Sequence, residues 1–174
     1  MAALPSIRYS AGHGPVSVYA MNDLSDLISH DAIDAGLSIT NKKTLFQQLA
    51  TAAGRLTGLP QKDILAALQQ REKLGSTGFG YGVAIPHGKL PKLEKLFGLF
   101  ARLERPIDFE AMDGQPVDLI FLLLAPEGAG ADHLKALARI ARLLRDQDVA
   151  KKLRASRDAQ AIYSVLALPP ASAA

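Results

Sequence analysis

Leu119 to Ala125 is an unbroken run of seven apolar residues closed by Pro126. A membrane-crossing helix needs about 18 to 20 apolar residues, so a run this short must be buried inside a soluble fold. Its length and its proline stop suit a strand, and Val117 to Leu124 is expected to lie at the centre of a sheet. A second strand is expected over Leu96 to Leu103, separated from the first by the turn-rich ERPIDFEAMDGQP, and a short one over Ala32 to Leu37.

The segments around these strands have helical spacing. Asn22 to Ile28 suits one helical turn or two. Thr40 or Asn41 can cap a helix that carries Leu45, Leu49, Ala52 and Leu56 on one face and ends at Gly58. Pro60 can open the next, with Ile64, Ala67, Leu68 and Leu74 repeating the pattern up to Gly75. Beyond the central strand, Asp132 to Leu144, Asp148 to Ala155 and Asp158 to Leu166 read as helices. The first carries Leu134, Leu137, Ile140, Ala141 and Leu144. Helices before and after several strands predict an α/β single-domain sandwich with a mixed β-sheet flanked by helices. With 174 residues, one domain is expected: a core over 21–167, a flexible leader over 1–20 and a frayed tail over 168–174.

Composition narrows the chemistry. There is no cysteine, which removes thiolate nucleophiles, thiolate zinc sites and disulfide frameworks. Residues 1–20 lack the continuous apolar stretch of a signal peptide, so the expected compartment is the cytoplasm, without stable membrane insertion. The net charge of +3 is uneven. Leu134 to Gln160 holds eight basic and three acidic residues, which reads as a solvated helix face. No nucleic-acid motif or aromatic interleaving accompanies it, so no nucleic-acid partner is expected.

The texture changes at GSTGFGYGVAIPHG, Gly75 to Gly88, where five of the 14 glycines fall within 14 residues. This reads as a loop feeding a short strand, Val83 to Ile85, with His87 presented just beyond it between Pro86 and Gly88. A histidine so placed can be a phosphoryl acceptor, a metal ligand or a satisfied turn residue. The metal reading lacks the clustered ligands such a site needs, and none is expected. Arg71, Lys73, Ser76, Thr77, Gly78, Gly88 and Lys89 surround His87 with cations, hydroxyls and accessible backbone N–H groups, a plausible anion pocket. Arg71 can also be a plain cation at a helix C-terminus, and Ser76 and Thr77 simple turn residues. No nucleotide is implied, because neither phosphate-binding glycine fingerprint is present. Of the other histidines, His13 and His30 read as ordinary surface residues. His133 sits at a helix start, where free N–H groups favour phosphate.

Glu72, six residues, Phe79-Gly80, two residues, then Val83-Ala84-Ile85-Pro86-His87-Gly88 resembles the phosphorylation-site signature of the mannitol/fructose class of enzyme IIA domains. Arg71-Glu72-Lys73-Leu74-Gly75-Ser76-Thr77-Gly78 and Gln115-Pro116-Val117-Asp118-Leu119 resemble the nitrogen-related branch of that class, and the similarity covers roughly 24–166. The resemblance implies a mannitol/fructose-type IIA fold and a phosphocarrier of the phosphoenolpyruvate-dependent phosphotransferase system. His87 would accept phosphate from a phosphohistidine on a small HPr-like carrier, Arg71 would stabilise the phosphoryl group, and His133 would support it. No cofactor is implied. Lacking the cysteine of a IIB acceptor, the chain is expected to stand alone and to act on regulatory target proteins. The alternatives are a fructose- or mannitol-specific IIA component, or a non-catalytic module that binds an anion or a protein.

Overall fold

The computed structural model describes residues 23–167. The expected leader over 1–20 and tail over 168–174 lie outside them. Six strands form one mixed sheet: β1 (Ile33–Leu37), β2 (Gly78–Gly80), β3 (Val83–Ala84), β4 (His87–Leu90), β5 (Phe97–Ile107) and β6 (Val117–Pro126). Five helices flank it: α1 (Lys42–Thr57), α2 (Gln61–Lys73), α3 (Ala131–Arg145), α4 (Gln147–Ala155) and α5 (Ala159–Ala167). The α/β sandwich expected from the sequence is the fold found. Among the described residues no helix is long and apolar enough to cross a membrane.

The strand order is β1-β5-β6-β3-β2. β5 runs antiparallel to β6 on one edge, while β3 and then β4 run parallel to it on the other. From Leu119 to Ala125 every residue of β6 is sealed from solvent. This matches a run with no polar face to offer water. β5 extends past the expected Leu103 because its pairing with β6 breaks after Arg102 and resumes at Ile107, across Val117. The polar Glu104-Arg105-Pro106 stretch between them is exposed and marks an irregularity within a continuing strand.

Local signals set the helix ends. The Asn41 side chain accepts from Thr44 N at 2.8 Å and starts α1, and Gly58 at φ 76° closes it with its N–H on Gly54 O. Asp146 caps α4 through Asp148 N and Val149 N. The segment after residue 22 makes a single turn, with Leu24, Leu27 and Ile28 buried. Arg139 of α3 ties that turn down, reaching both Asp26 oxygens at 2.7 and 2.8 Å and the Asp23 carbonyl at 2.6 Å.

Three expectations are corrected. The glycine-rich stretch holds the expected short strand as β3, but the rest of it is not a plain loop: β2 and the start of β4 occupy it as well. Gly80, Tyr81 and Gly82, all at positive φ, turn the chain back so that β2 and β3 pair. Leu74 does not continue the apolar face of α2, because it is the C-cap residue and is 83% exposed. Leu134 is 68% exposed, and α3 instead buries His133, Ala136, Ile140, Leu143 and Leu144. The phase of that face puts a histidine against the sheet.

Gly98 lets the Leu24–Ile28 turn lie against β5. Its N–H donates to Leu27 O at 2.8 Å, and an added Cβ would sit 2.5 Å from that oxygen and 2.9 Å from the Phe121 ring. Gly98→Ala is therefore expected to cost about 1–3 kcal/mol, the usual range for overpacking. That corresponds to roughly 2–4 °C in Tm per kcal/mol for a domain of this size. Gly128→Ala, where an added Cβ meets nothing within 4 Å, is the control. Equal thermal midpoints for the two variants would overturn this account.

Candidate functional site

Strand β4 presents His87 on the edge of β6, opposite Leu123. Its ring folds back so that Nδ1 lies 2.8 Å from the carbonyl oxygen of Ile85. A carbonyl can only accept, so Nδ1 carries the proton and Nε2 keeps the lone pair. His87 is half-buried. Burial pushes its pKa below the ordinary value, and the charge of Arg71 acts in the same direction, against the Ile85 carbonyl and Glu72. The neutral, nucleophilic imidazole is thereby favoured.

His133 comes to the same place from the first turn of α3. Its ring centroid lies 5.5 Å from that of His87, edge to face at 69°. It is 6% exposed, and its Nε2 is a buried polar atom without a hydrogen-bond partner. Such an atom costs free energy unless something else meets it. Burial also lowers the pKa of His133, and His87 and Lys89 add to the effect.

α2 closes the other side. An added Cβ on Gly88 would lie 3.1 Å from the Cβ of Ala67 and 3.3 Å from its carbonyl carbon, so glycine lets the helix rest on β4. One turn on from Ala67, Arg71 reaches the mouth of the site, where its Nη1 donates to Gly75 O at 2.8 Å. The resulting groove of about 360 Å³ is lined by Gln70, Arg71, Leu74, His87, Gly88, Lys89, Glu127 and His133, with Ala67 at its base.

The structure thus brings together Arg71, His87, Gly88, Lys89 and His133. Ser76, Thr77 and Gly78 are not among the lining residues. The Ser76 hydroxyl donates to Phe109 O and accepts from Gly78 N, and Thr77 is bonded to Glu72. Sequence reasoning missed Gln70 and Glu127 as lining residues, and Leu74 as an apolar rim. None sits in a motif, and only the approach of α2 to the loop before α3 makes them neighbours. A larger cleft of about 570 Å³ lies beside Lys42, Lys43 and Lys73 but contains no histidine. Among the described residues no three His, Cys, Asp or Glu side chains gather to hold a metal ion.

A family model described as phosphoenolpyruvate-dependent sugar phosphotransferase system, EIIA 2, matches residues 26–168. A nitrogen regulatory protein of Bradyrhizobium diazoefficiens is 74% identical over 151 residues, covering 87% of this chain and 99% of that protein. The Escherichia coli K12 nitrogen regulatory protein is 36% identical over 144 residues, covering 82% of this chain and 88% of its own. Among solved structures, the nitrogen regulatory protein IIA-Ntr of Neisseria meningitidis superposes with a TM-score of 0.78 at 35% identity, over 81% of this chain and 97% of that one. The IIA mannitol structure from Escherichia coli gives 0.70 at 18% identity, over 80% and 99%, a likeness of fold.

The two lowered histidine pKa values have a consequence for stability. In the unfolded chain both titrate near 6.5, and in the folded chain lower. Their contribution is complete above about pH 6.5 and is lost as pH falls towards the folded values, because only the unfolded chain then gains protons. The thermal midpoint of the wild type should therefore fall between pH 7.5 and 5, and fall less in His87→Gln/His133→Gln. The Asp26 carboxyl, lowered by Arg139 from 3.8, loses its contribution only at more acid pH. Identical pH slopes for wild type and double variant would refute the assignment.

Proposed function

The chain belongs to the EIIA 2 family of the phosphoenolpyruvate-dependent sugar phosphotransferase system, and on that premise we propose that His87 is the histidine on which this phosphotransferase component carries its phosphoryl group. The observation that carries the reading is the division of labour on one imidazole. Nδ1 is held by the Ile85 carbonyl, which leaves Nε2 for chemistry, and the ring of buried His133, whose own Nε2 has no partner, stands 5.5 Å away between centroids.

The donor is a phosphohistidine on an HPr-like carrier. The His87 Nε2 lone pair attacks phosphorus in line, the P–N bond to the donor imidazole breaks, and the donor ring leaves with that bonding pair. When the new P–Nε2 bond forms, Nδ1 keeps its proton and still donates it to the Ile85 carbonyl, which stabilises the charge now shared by the ring. Arg71 donates to the phosphoryl oxygens, and His133 does so through an Nε2–H. Lys89 adds positive charge at the rim. Gly88 contributes through the closeness of α2, and Ser76, Thr77 and Gly78 shape the turn behind the pocket. Leu74 and Leu134, exposed beside Arg71 and His133, offer the apolar contacts a docking carrier buries.

We read 21–167 as the transfer unit, close to the 26–168 of the family match. The nitrogen regulatory names of its relatives favour a regulatory role over sugar transport. Phosphorylation places roughly two negative charges in a groove flanked by exposed leucines, which changes the affinity of any target protein docking there.

Incubation with enzyme I, an HPr-like carrier and phosphoenolpyruvate should place one acid-labile phosphate on the wild type and none on His87→Ala. Undiminished labelling of His87→Ala would overturn the assignment. Arg71→Ala should slow transfer by about 10²-fold, the scale for losing one charge-stabilising donor. Its thermal midpoint should fall only a few degrees, the cost of about one hydrogen bond to Gly75 O. An unchanged transfer rate would remove Arg71 from the site. Robust sugar phosphorylation with membranes supplying IIB and IIC components would replace the regulatory role with transport.

A further inference from the structure

Glu72, in the last turn of α2, carries a carboxylate on a side chain that is only 11% exposed. A buried acid at a helix C-terminus opposes the helix dipole, which favours a cation there. It is kept by three donors. Thr77 N and Lys42 Nζ each lie 2.9 Å from Oε1, and Thr77 Oγ1 lies 2.6 Å from Oε2. Lys42 also donates to Phe109 O at 3.0 Å and lies over the Phe109 ring. The carboxylate thus ties the start of α1, the end of α2 and the turn before β2 into one brace.

The brace leads to the site. Thr77, fixed at its N–H and hydroxyl, accepts from Ile85 N through its carbonyl at 3.0 Å, and the Ile85 carbonyl accepts from His87 Nδ1 at 2.8 Å. Between Thr77 and Ile85 lies the β2–β3 hairpin, with three consecutive positive-φ residues and a register irregularity. Glycine-rich strands specify their register weakly, and a slip of one residue turns a carbonyl to the opposite side. Something outside the hairpin must therefore hold Thr77 opposite Ile85. The turn between α2 and β2, Leu74 to Thr77, also carries Gly75 O, the acceptor that holds Arg71.

We propose that Glu72, clamped by Lys42, is a positioning residue for phosphoryl transfer: through Thr77 it fixes the register that keeps the Ile85 carbonyl on His87 Nδ1, and so keeps Nε2 as the nucleophile. This rests on the reading of His87 as the acceptor. Thr77 acts here through Glu72 and not through the phosphate.

The test uses the full chain and two readouts. The first is the His87 tautomer, read from ¹⁵N ring shifts at pH 8 with no donor present; the second is the transfer rate from a phosphorylated HPr-like carrier over a range of concentrations. Thr77→Ser, which keeps the hydroxyl, should match the wild type in both. Thr77→Val and Glu72→Ala should show mixed tautomers and a maximal rate at least about tenfold lower, with the carrier KM nearly unchanged. Loss of the correct tautomer in a His-dependent enzyme can cost far more than that. A wild-type tautomer in folded Thr77→Val overturns the proposal, as does a mixed tautomer with an unchanged rate. Should Glu72→Ala not fold, Thr77→Val alone decides. The tautomer is read without donor, so failure of the brace is separable from failure of His87 to be labelled.

Discussion

Strand β6 is the constraint on which the remaining structure depends. Its seven sealed residues can be accommodated only with strands on both edges and helices over the sheet. β5 takes one edge. Neither β3 nor β4 is long enough to cover the other, so the two share it in succession, at Leu119–Ile120 and then at Leu123–Pro126. The break between them is Ile85-Pro86, and His87 sits where pairing resumes. The position of the reactive ring follows from two short strands sharing one long neighbour.

Around that ring the dominant electrostatic effect is desolvation. Burial lowers the pKa of both histidines, and the cation Arg71 works in the same direction on His87. Two neutral rings can lie 5.5 Å apart where two imidazolium ions would repel. Neutrality also leaves Nε2 of His87 its lone pair. A buried carboxylate one residue from Arg71 would undo this if it faced the groove. Glu72 instead turns its oxygens to Thr77 and Lys42 and is not among the groove-lining residues, which include the cations Arg71 and Lys89 and the single carboxylate Glu127.

Much of this was legible in the residues. β6 was readable from unbroken apolarity, α1 from Asn41 and Gly58, and the His87 presentation from Pro86 and Gly88. Less was legible where a residue's role depends on partners far along the chain. Leu74 and Leu134 fit helical spacing, yet both are exposed, because a helix's buried face is set by what it packs on as well as by its own period. Ser76 and Thr77 look like phosphate ligands beside a histidine, yet their hydroxyls are satisfied by Phe109 O and Glu72. β3 was readable at Val83 to Ile85, but β2 and β4 were hidden because short strands interrupted by glycine have no apolar alternation to read.

The sequence by itself determined the α/β class, the central strand, the absence of thiol chemistry and the motif that presents His87. Those depend on composition and on near neighbours, which any reader of the chain can see. Only the tertiary structure decided that His133 meets His87 with an orphaned nitrogen, that Gln70 and Glu127 line the groove, and that Glu72 turns towards Lys42 and Thr77. These are contacts between elements remote in the chain. Their geometry comes from helices settling on the sheet through close approaches such as Gly88 on Ala67, and no local pattern encodes that distance.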